Sequence, residues 1–375
     1  MQKKVCLGDL ATYINGYAFK PSDWGQNGLP IIRIQNLTGN AYEVNYFSGN
    51  LDKRYFITNG DVLISWSASI GVYEWQNGDA WLNQHIFKVK FDKENVDKKY
   101  FQYAVGYVLE KSLKFAHGST MKHLTKKVFD SLQVPYYDMD TQRQIVAKLA
   151  KIDKAIKYYE EIFECLDELV KSRFVEMFGD LRINPCGWKI QSFADLTDLI
   201  TDGEHATPRR VPKGIYLLSA RNVLNHSIQL DDVDYIDEEE YKRIAKRVVP
   251  KEGDVLISCS GSVGRCCSVP AGLKFQMVRS AALLRFKSFI NHVFAEYMIT
   301  SDYLQGQINS AKTASSQANL FQGRIAKLKG FAPPIDLQKN FADFVAHADK
   351  SKLAVQQSIE TLQTLKAKLM QDYFG

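Results

Sequence analysis

Apolar residues between Gln142 and Gly179 recur alternately four and three positions apart, beginning at Ile145 and Leu149 and reaching Val170. The average spacing of 3.5 residues is the period of a coiled-coil seam and not of a strand. No glycine or proline interrupts the stretch before Gly179. At 1.5 Å per residue, roughly 37 helical residues extend about 55 Å. The pattern therefore predicts one long helix that acts as a spacer.

The same seam returns 196 positions later, starting at Phe341. Each helix alone would leave an apolar stripe in water, so we expect the two helices to pack against each other in an antiparallel pair. Lys352 and Lys366 interrupt the second seam. They either set register or partner choice, or simply extend their charged ends to solvent. The outer helix faces are expected to carry exposed apolar residues such as Leu169 and Phe174.

A second repeat precedes each helix. The sequence GDVLIS, a turn followed by a buried strand, occurs at 60–65 and again at 253–258. The repeats predict a tandem duplication of a β-rich domain plus a helix, with nearly 190 residues in each copy. The predicted fold class is α+β, with two tandemly duplicated β-rich domains, two long antiparallel coiled-coil helices and a pseudo-two-fold. The predicted boundaries are 1–140 for the first domain, 141–182 for the central helix, 183–336 for the second domain and 337–375 for the C-terminal helix.

The two sequence copies share their predicted strands but differ in the loops that follow them. The second copy has Asp202–Arg210 where the first has Gly16–Lys20, and Arg279 follows its strand where Gln84 follows the other. The Asp202–Gly203 pair alone could be only a turn, with glycine supplying a positive φ. A shared framework with different polar tips predicts two readers of two different signals.

Composition is that of an ordinary globular protein, with 45% hydrophobic and 24% charged residues in a chain of 375. The net charge of +6 permits a DNA partner without demonstrating one. The chain has no apolar run near the roughly 20 residues of a membrane span, and its first residues lack the apolar core of a signal peptide. Six scattered cysteines suggest reduced thiols, and Cys266 and Cys267 lack zinc-ligand spacing. We expect a cytoplasmic protein without a metal site.

In this order the motifs resemble the specificity subunits of Type I restriction-modification systems. The resemblance covers essentially the whole chain. It depends on four features: the two GDVLIS repeats, TDGEHATP at 201–208, SRFVEMFGD at 172–180, and a proline followed by a glutamine at the start of each long helix, Pro135 to Gln142 and Pro334 to Gln338.

The resemblance implies a non-catalytic subunit that reads double-stranded DNA and joins two methyltransferase subunits and, in the full complex, two restriction subunits, with no membrane partner. One domain would read each half of a bipartite asymmetric target, while the helices set the spacer and dock the methyltransferases. No cofactor is expected on this chain, with S-adenosylmethionine on the methyltransferase and ATP and Mg on the restriction partner. Consistently, the segment NPCG at 184–187 departs from a base-flipping methyltransferase loop, and GSVGRCC at 261–267 lacks the lysine of a phosphate loop.

Polar and basic loop residues are the candidates for DNA contact. Arginine suits guanine, and asparagine or glutamine suits adenine, in the major groove. A surface side chain of this kind can equally be just solvated, and His85 can be a satisfied histidine at a strand edge. The candidates in the first domain are Tyr17, Lys20, Trp66, Ser67, Gln84, His85, Ser119, Lys122 and His123. Those in the second domain are His205, Thr207, Arg209, Arg210, Ser260, Arg265, Arg279, Ser315 and Gln317.

Two other classes compete with this interpretation. A self-contained methyltransferase or nuclease would need an unrecognised active site and would act without a partner. A coiled-coil adaptor that binds only protein shares the helices, but it does not explain why duplicated domains keep one framework while their polar loops diverge.

Overall fold

The computed structural model describes residues 3–39, 43–67, 69–115, 125–311 and 319–375. The chain divides into two compact units, and each combines a globular part with segments of two long helices. The first unit is Met1–Glu160 with Gln357–Gly375, and the second unit is Glu161–Gln356.

Short strands and helices make up the globular part of the first unit. In chain order they are β1 (Lys4–Cys6), α1 (Leu7–Leu10), β2 (Thr12–Asn15), β3 (Leu29–Ile32), α2 (Ile34–Leu37), β4 (Tyr46–Phe47), β5 (Phe56–Ile57), β6 (Val62–Ser65), β7 (Gly71–Glu74), β8 (Ala80–Leu82), β9 (Ile86–Lys90), α3 (Lys98–Phe115), α4 (Lys126–Ser131) and β10 (Gln133–Pro135), followed by the long helix α5 (Met139–Phe178).

The second unit follows a similar order with additional short strands and helices. Its elements are β11 (Ile190–Ser192), α6 (Phe193–Leu196), β12 (Thr197–Asp202), β13 (Ile215–Leu218), β14 (Val223–Leu224), β15 (Ser227–Ile228), β16 (Asp234–Ile236), α7 (Glu238–Ala245), β17 (Val255–Ser258), β18 (Cys266–Ser268), β19 (Phe275–Met277), β20 (Ala281–Phe286), α8 (His292–Thr300), α9 (Asp302–Ala311), α10 (Gln322–Ile325) and β21 (Lys329–Phe331), followed by α11 (Ile335–Phe374).

One sheet has the same strand order in both units, and a second sheet shares a parallel pair but has four strands in the first unit and three in the second. An antiparallel sheet has the order β2-β9-β6-β7 in the first unit and β12-β20-β17-β18 in the second. A second sheet contains a parallel pair, β3 with β8 and β13 with β19. The GDVLIS repeats supply β6 and β17, central strands whose four residues are all buried. A continuous apolar run suits a strand that is covered on both faces.

The aspartate of each GDVLIS repeat ties its turn to a neighbouring strand. Asp254 is 2% exposed and accepts hydrogen bonds from the backbone N–H of Lys251 and from Arg285 on β20. Asp61 accepts the backbone N–H of Thr58 and lies 2.9 Å from the Nζ of Lys88 on β9. The motif therefore fixes a turn, a strand and a cross-strand ion pair together.

In the first unit, the early part of α5 lies antiparallel to the last part of α11. The Lys366 Nζ is 2.6 Å from the Asp153 carboxylate, and the Tyr137 hydroxyl donates to the Tyr373 carbonyl at 3.1 Å. Phe374 is 3% exposed and belongs to the core of this unit.

In the second unit, the late part of α5 lies antiparallel to the first part of α11. The Lys352 Nζ is 2.5 Å from the Asp167 carboxylate, and the rings of Phe174 and Phe341 are 5.4 Å apart. The lysines that interrupt the predicted seam therefore pair with aspartates on the facing helix. Each such pair depends on one register of the two helices.

Phe174 is not on an outer face, so that expectation was wrong. It is 4% exposed and packs against Phe178 and Phe341, whereas Leu169 is 51% exposed as predicted. Beyond Val170 the helix packs into the globular core, so burial follows steps of four residues instead of the 3.5-residue seam.

A buried glutamine anchors the start of each long helix. Gln142 accepts the backbone N–H of Asp97, and Gln338 accepts the backbone N–H of Asn291. Both glutamines are fully buried, and Asp97 and Asn291 directly precede α3 and α8 and accept backbone N–H groups of their first turns. The buried glutamine of this motif thus joins the start of each long helix to the N-terminal end of α3 in the first unit and of α8 in the second.

Candidate nucleic-acid interface

A cleft at one edge of the first unit collects the ends of several strands. Asn15 ends β2, Trp66 directly follows β6, and the turn 83–86 joins β8 to β9. The cleft has a volume of about 480 Å³. Its lining combines polar and aromatic residues: Asn15, Gly16, Tyr17, Ala18, Tyr55, Trp66, Gln84 and His85. Four residues predicted to contact DNA therefore lie together here.

Aromatic rings shape the walls of this cleft. The Trp66 and His85 rings meet edge to face with 5.4 Å between centroids, and Tyr17 meets Tyr55 at 5.5 Å. The Trp66 Nε1 donates to the Asn15 Oδ1 at 3.2 Å, which orients that amide. His85 is exposed at the end of the turn between β8 and β9 and packs on Trp66. The cleft offers flat apolar faces beside amide donors and acceptors.

In each unit a glycine directly after a strand lies very close to the backbone of a neighbouring segment. It is Gly16 after β2 in the first unit and Gly203 after β12 in the second. A Cβ on Gly16 would lie 2.2 Å from the Asn83 carbonyl oxygen, and one on Gly203 would lie 2.4 Å from the Met277 carbonyl oxygen. The positive-φ glycines do not include Gly203, so its role is close approach and not the left-handed turn considered from the sequence. The two glycines hold corresponding loops in the same place.

We expect Gly203→Ala to destabilise the protein by about 1–3 kcal/mol, because the new methyl group would overlap backbone atoms, which cannot rotate away as a side chain can. Gly306→Ala provides a matched control. Gly306 lies inside α9 and has no atom within 4 Å of the place that a methyl group would take, so alanine should stabilise by about 0.5–1 kcal/mol. Denaturant midpoints of the two variants measure the difference, and equal midpoints would contradict the close-approach role.

The corresponding edge of the second unit carries charge instead of aromatic rings. Asp202 accepts a hydrogen bond from Arg247 and lies 2.8 Å from the His205 Nε2. The Glu204 carboxylate is 3.4 Å from Arg243. Both arginines come from α7 and the residues just after it, where the first unit has only a short 3-10 turn at Lys53–Tyr55. The two tips therefore differ in their chemistry.

Arg209 and Arg210 are both engaged within the second unit. Arg209 Nη2 lies 2.7 Å from Asp237 and 2.9 Å from Glu239, and Arg210 Nε lies 2.9 Å from Asp234. The hydrogen bond that Arg209 donates to Glu239 and the negative charges of Asp237 and Glu239 raise the pKa of Arg209. To bind DNA through these groups, the protein would have to exchange carboxylate partners for acceptors on the nucleic acid.

The other predicted contact residues are dispersed. Lys20 precedes a short 3-10 helix, Ser67 is 5% exposed, and Ser260 forms an isolated bridge with Asn319. Thr207, Arg265 and Arg279 are exposed. Five predicted residues lie outside the described part of the chain: Ser119, Lys122, His123, Ser315 and Gln317.

Arg33 is a candidate that the sequence did not reveal. It directly follows β3, and the Asn83 N–H at the cleft donates to the Ile32 carbonyl at 3.0 Å, so Arg33 lies at the same edge. Its guanidinium lies 4.2 Å above the centre of the Trp24 ring. Burial lowers the pKa of Arg33, and its Nη2 has no hydrogen-bond partner among the described residues. Only the tertiary pairing of β3 with β8 brings it here.

Asn15 and Tyr55 are further lining residues that sequence reasoning missed. Tyr55 follows two basic residues, and an aromatic beside a basic pair was the available signal. Across the described ranges, no group of three His, Cys, Asp or Glu residues could hold a metal ion. The helices in those ranges also lack the combination of length and apolar character that a membrane span needs.

Each unit thus places a different set of side chains on one framework and is completed by antiparallel helix segments. This arrangement defines a duplicated α+β protein with two long helices. Residues 2–164 match the family described as the Type I restriction modification DNA specificity domain. The EcoBI specificity subunit of Escherichia coli, a Type I restriction enzyme component, is 21% identical over 99% of this chain and 85% of its own length.

Two solved structures share the fold. The S subunit of a Type I restriction-modification system from M. genitalium has a TM-score of 0.54 and 14% identity, over 100% of this chain and 96% of its own. A chain from a type I system, described for complex assembly and conformational transition, has a TM-score of 0.60 and 14% identity, over 99% and 97%. The predicted resemblance to Type I specificity subunits is confirmed, and so is the fold of two β-rich domains with two long helices.

Proposed function

We propose that this chain is the DNA-reading subunit of a Type I restriction-modification complex. Each unit would read one half of a bipartite, asymmetric target in double-stranded DNA. The observation that carries this proposal is the pairing of one framework with two different tips, aromatic and amide-bearing in the first unit and charged in the second. Identical framework positions with different side chains suit two half-sites of different sequence.

The catalytic reactions would be carried out by the partner subunits. We propose that the chain is non-catalytic, with S-adenosylmethionine bound by two methyltransferase subunits, and ATP and Mg bound by two restriction subunits where these are present. Because the target is chromosomal or invading DNA, the complex would act in the cytoplasm. The alternative of an adaptor that binds only protein gives no role to the divergent tips.

Exposed apolar residues on the long helices support partner docking. In the second unit, Ile162, Leu169, Val175 and Leu353 are between 45% and 59% exposed. In the first unit, Tyr158 and Leu365 are 53% and 44% exposed. Large apolar side chains on a helix face are typical of a surface that another protein covers. We propose that the methyltransferase subunits cover them, and that helix length sets the gap between half-sites.

Co-expression with the methyltransferase partner, followed by single-molecule sequencing of host DNA, tests the function. We expect N6-methyladenine in one bipartite motif with a fixed gap, on opposite strands. Exchange of residues 1–140 for the domain of a relative should change one half of that motif only. Hosts that express either protein alone provide the control and should show no new methylation.

A single uninterrupted motif would contradict the assignment of one half-site to each unit. Absence of methylation in a host where the complex still forms would favour the adaptor. Methyl transfer by this chain without its partner would contradict its non-catalytic role and favour a self-contained enzyme.

A further inference from the structure

Each unit has a tight turn at the edge described above, between β8 and β9 in the first unit and between β19 and β20 in the second. In the first unit the turn is 83–86, closed by a hydrogen bond from the Ile86 N–H to the Asn83 carbonyl at 3.2 Å. In the second unit it is 278–281, closed from the Ala281 N–H to the Val278 carbonyl at 3.0 Å. The second position of each turn is therefore Gln84 in one unit and Arg279 in the other.

The surrounding backbone shows that these positions are equivalent. The residue that opens each turn donates its N–H to the end of the neighbouring parallel strand, Asn83 to Ile32 at 3.0 Å and Val278 to Leu218 at 2.9 Å. The residue that closes each turn accepts the N–H of the close-approach glycine at 3.0 Å in both units. Gln84 and Arg279 thus occupy one place in the framework with different side chains.

The third turn position does not offer the same contrast. Ser280 accepts the backbone N–H of Ala220 with its hydroxyl at 3.0 Å, so this side chain is used in holding the loop. His85 packs edge to face on Trp66. The second position, Gln84 in one unit and Arg279 in the other, is therefore the turn position with a polar side chain that does not hold the loop in place.

Arg279 also differs from four arginines near the same edge of the second unit, and shares its lack of a side-chain partner among the described residues with Arg265. Arg209, Arg210, Arg243 and Arg247 all have carboxylate partners. Arg279 is exposed, and no ion pair or side-chain hydrogen bond engages it within the described ranges. Its five N–H donors remain available for a partner outside the chain.

Gln84 lines the cleft of the first unit beside Asn15. Its Nε2 lies 3.4 Å from the His85 Nε2. A glutamine amide presents one acceptor and one donor side by side, which matches the N6 and N7 edge of adenine, whereas a guanidinium fork matches the O6 and N7 edge of guanine.

We propose that Gln84 and Arg279 are paired base-selecting residues: Gln84 selects adenine at one position of the first half-site, and Arg279 selects guanine at one position of the second. This inference rests on the proposed function and deepens it. It assigns a base class to each unit and predicts that a single substitution converts one class into the other.

The test is selection of duplexes from a library randomised over both half-sites, using the full chain in complex with its methyltransferase partner. We expect Q84R to replace adenine by guanine at one position and R279Q to replace guanine by adenine at one position of the other half. Affinity of each variant for the wild-type duplex should fall roughly 5- to 150-fold, the range that one bidentate base contact provides.

Matched controls use the same residue types elsewhere. Gln76 is exposed and follows β7 at the end away from the cleft, so Q76R adds the same charge without altering the turn. Arg182 pairs with Asp180, so R182Q removes the same group outside the tip. Both control variants should select the wild-type motif. The alanine variants Q84A and R279A should lose preference at the same single positions, because they remove the contact without introducing a new one.

The outcomes separate this inference from the function on which it rests. If the wild-type complex selects a bipartite motif and Q84R and R279Q select it unchanged, the inference is wrong and the function stands. Changes spread over many positions or both halves would also overturn it, since those indicate a phosphate contact or a disturbed loop. If the wild-type complex selects no motif, the proposed function itself is wrong.

Discussion

Phe374→Ala is expected to destabilise the first unit by about 3–5 kcal/mol, although Phe374 is the penultimate residue of the sequence. Its ring is 3% exposed and lies 5.5 Å from the Tyr100 ring and 6.2 Å from the Tyr107 ring, both on α3. Removing a buried aromatic ring loses its transfer free energy and leaves a cavity. The loss of stability is that of a core residue, because the Phe374 side chain is part of the core of the first unit.

Hydrogen exchange resolved by peptide measures this effect in each unit separately. Amides of β6 should lose protection in Phe374→Ala, while those of β17 keep it. Phe178→Ala should do the reverse, because Phe178 is fully buried against Phe294 and Phe341 in the second unit. Asp372→Ala, at an exposed position of the same helix turn, is the control. Equal losses in both units for either phenylalanine would contradict the assignment of these helix ends to different cores.

Lys352→Glu is expected to destabilise the second unit by about 2–4 kcal/mol, less than for a fully buried ion pair, because the lysine side chain is mostly buried but its aspartate partners are 47% and 60% exposed. The Lys352 side chain is 14% exposed, with its Nζ 2.5 Å from Asp167 and 3.5 Å from Asp349. A glutamate would place a third carboxylate in a mostly buried position against these two, and water would screen only part of the repulsion.

Denaturant unfolding of a double-mutant cycle tests this prediction. Asp167→Lys together with Lys352→Glu should recover part of the stability, since one pair of opposite charges is restored. Lys352→Leu should be nearly neutral or stabilising, because an apolar residue in the seam avoids the cost of desolvating a charge. The same reversal at Lys366 should cost less, because that side chain is 34% exposed. Absence of any rescue in the double variant would mean that the lysine stabilises the helix in another way.

Local periodicity and repetition explain how much of the fold could be predicted. The long helices followed from a 3.5-residue seam, and the sheet strands followed from the GDVLIS repeats, because both patterns are written in consecutive residues. The prediction of an exposed Phe174 was wrong because, where α5 packs on the globular core, residues outside the 3.5-residue pattern are also buried. That burial depends on residues more than a hundred positions away, such as Phe294 and Phe341.

The candidate interface was predictable in part for a similar reason. Alignment of the two copies placed Gln84 against Arg279, and the structure places both at the second position of equivalent turns. Arg33 could not be found, because its position at the cleft depends on the pairing of β3 with β8. The ion pairs of Arg209 were equally hidden, since Asp237 and Glu239 approach it only when α7 folds against the loop.

The distribution of core residues along the chain also has a consequence for synthesis on the ribosome. The second unit is one continuous segment, Glu161–Gln356, whereas the first unit needs Gln357–Gly375 to complete its core. The globular part of the first unit is synthesised before the second unit, yet it cannot bury the faces that receive Leu369, Met370 and Phe374 until those residues have also been synthesised. The N-terminal half of the nascent chain therefore waits with part of its apolar surface open while the later half can already fold. A premature stop within the last turn of α11 would release a chain whose second unit is intact and whose first unit is not.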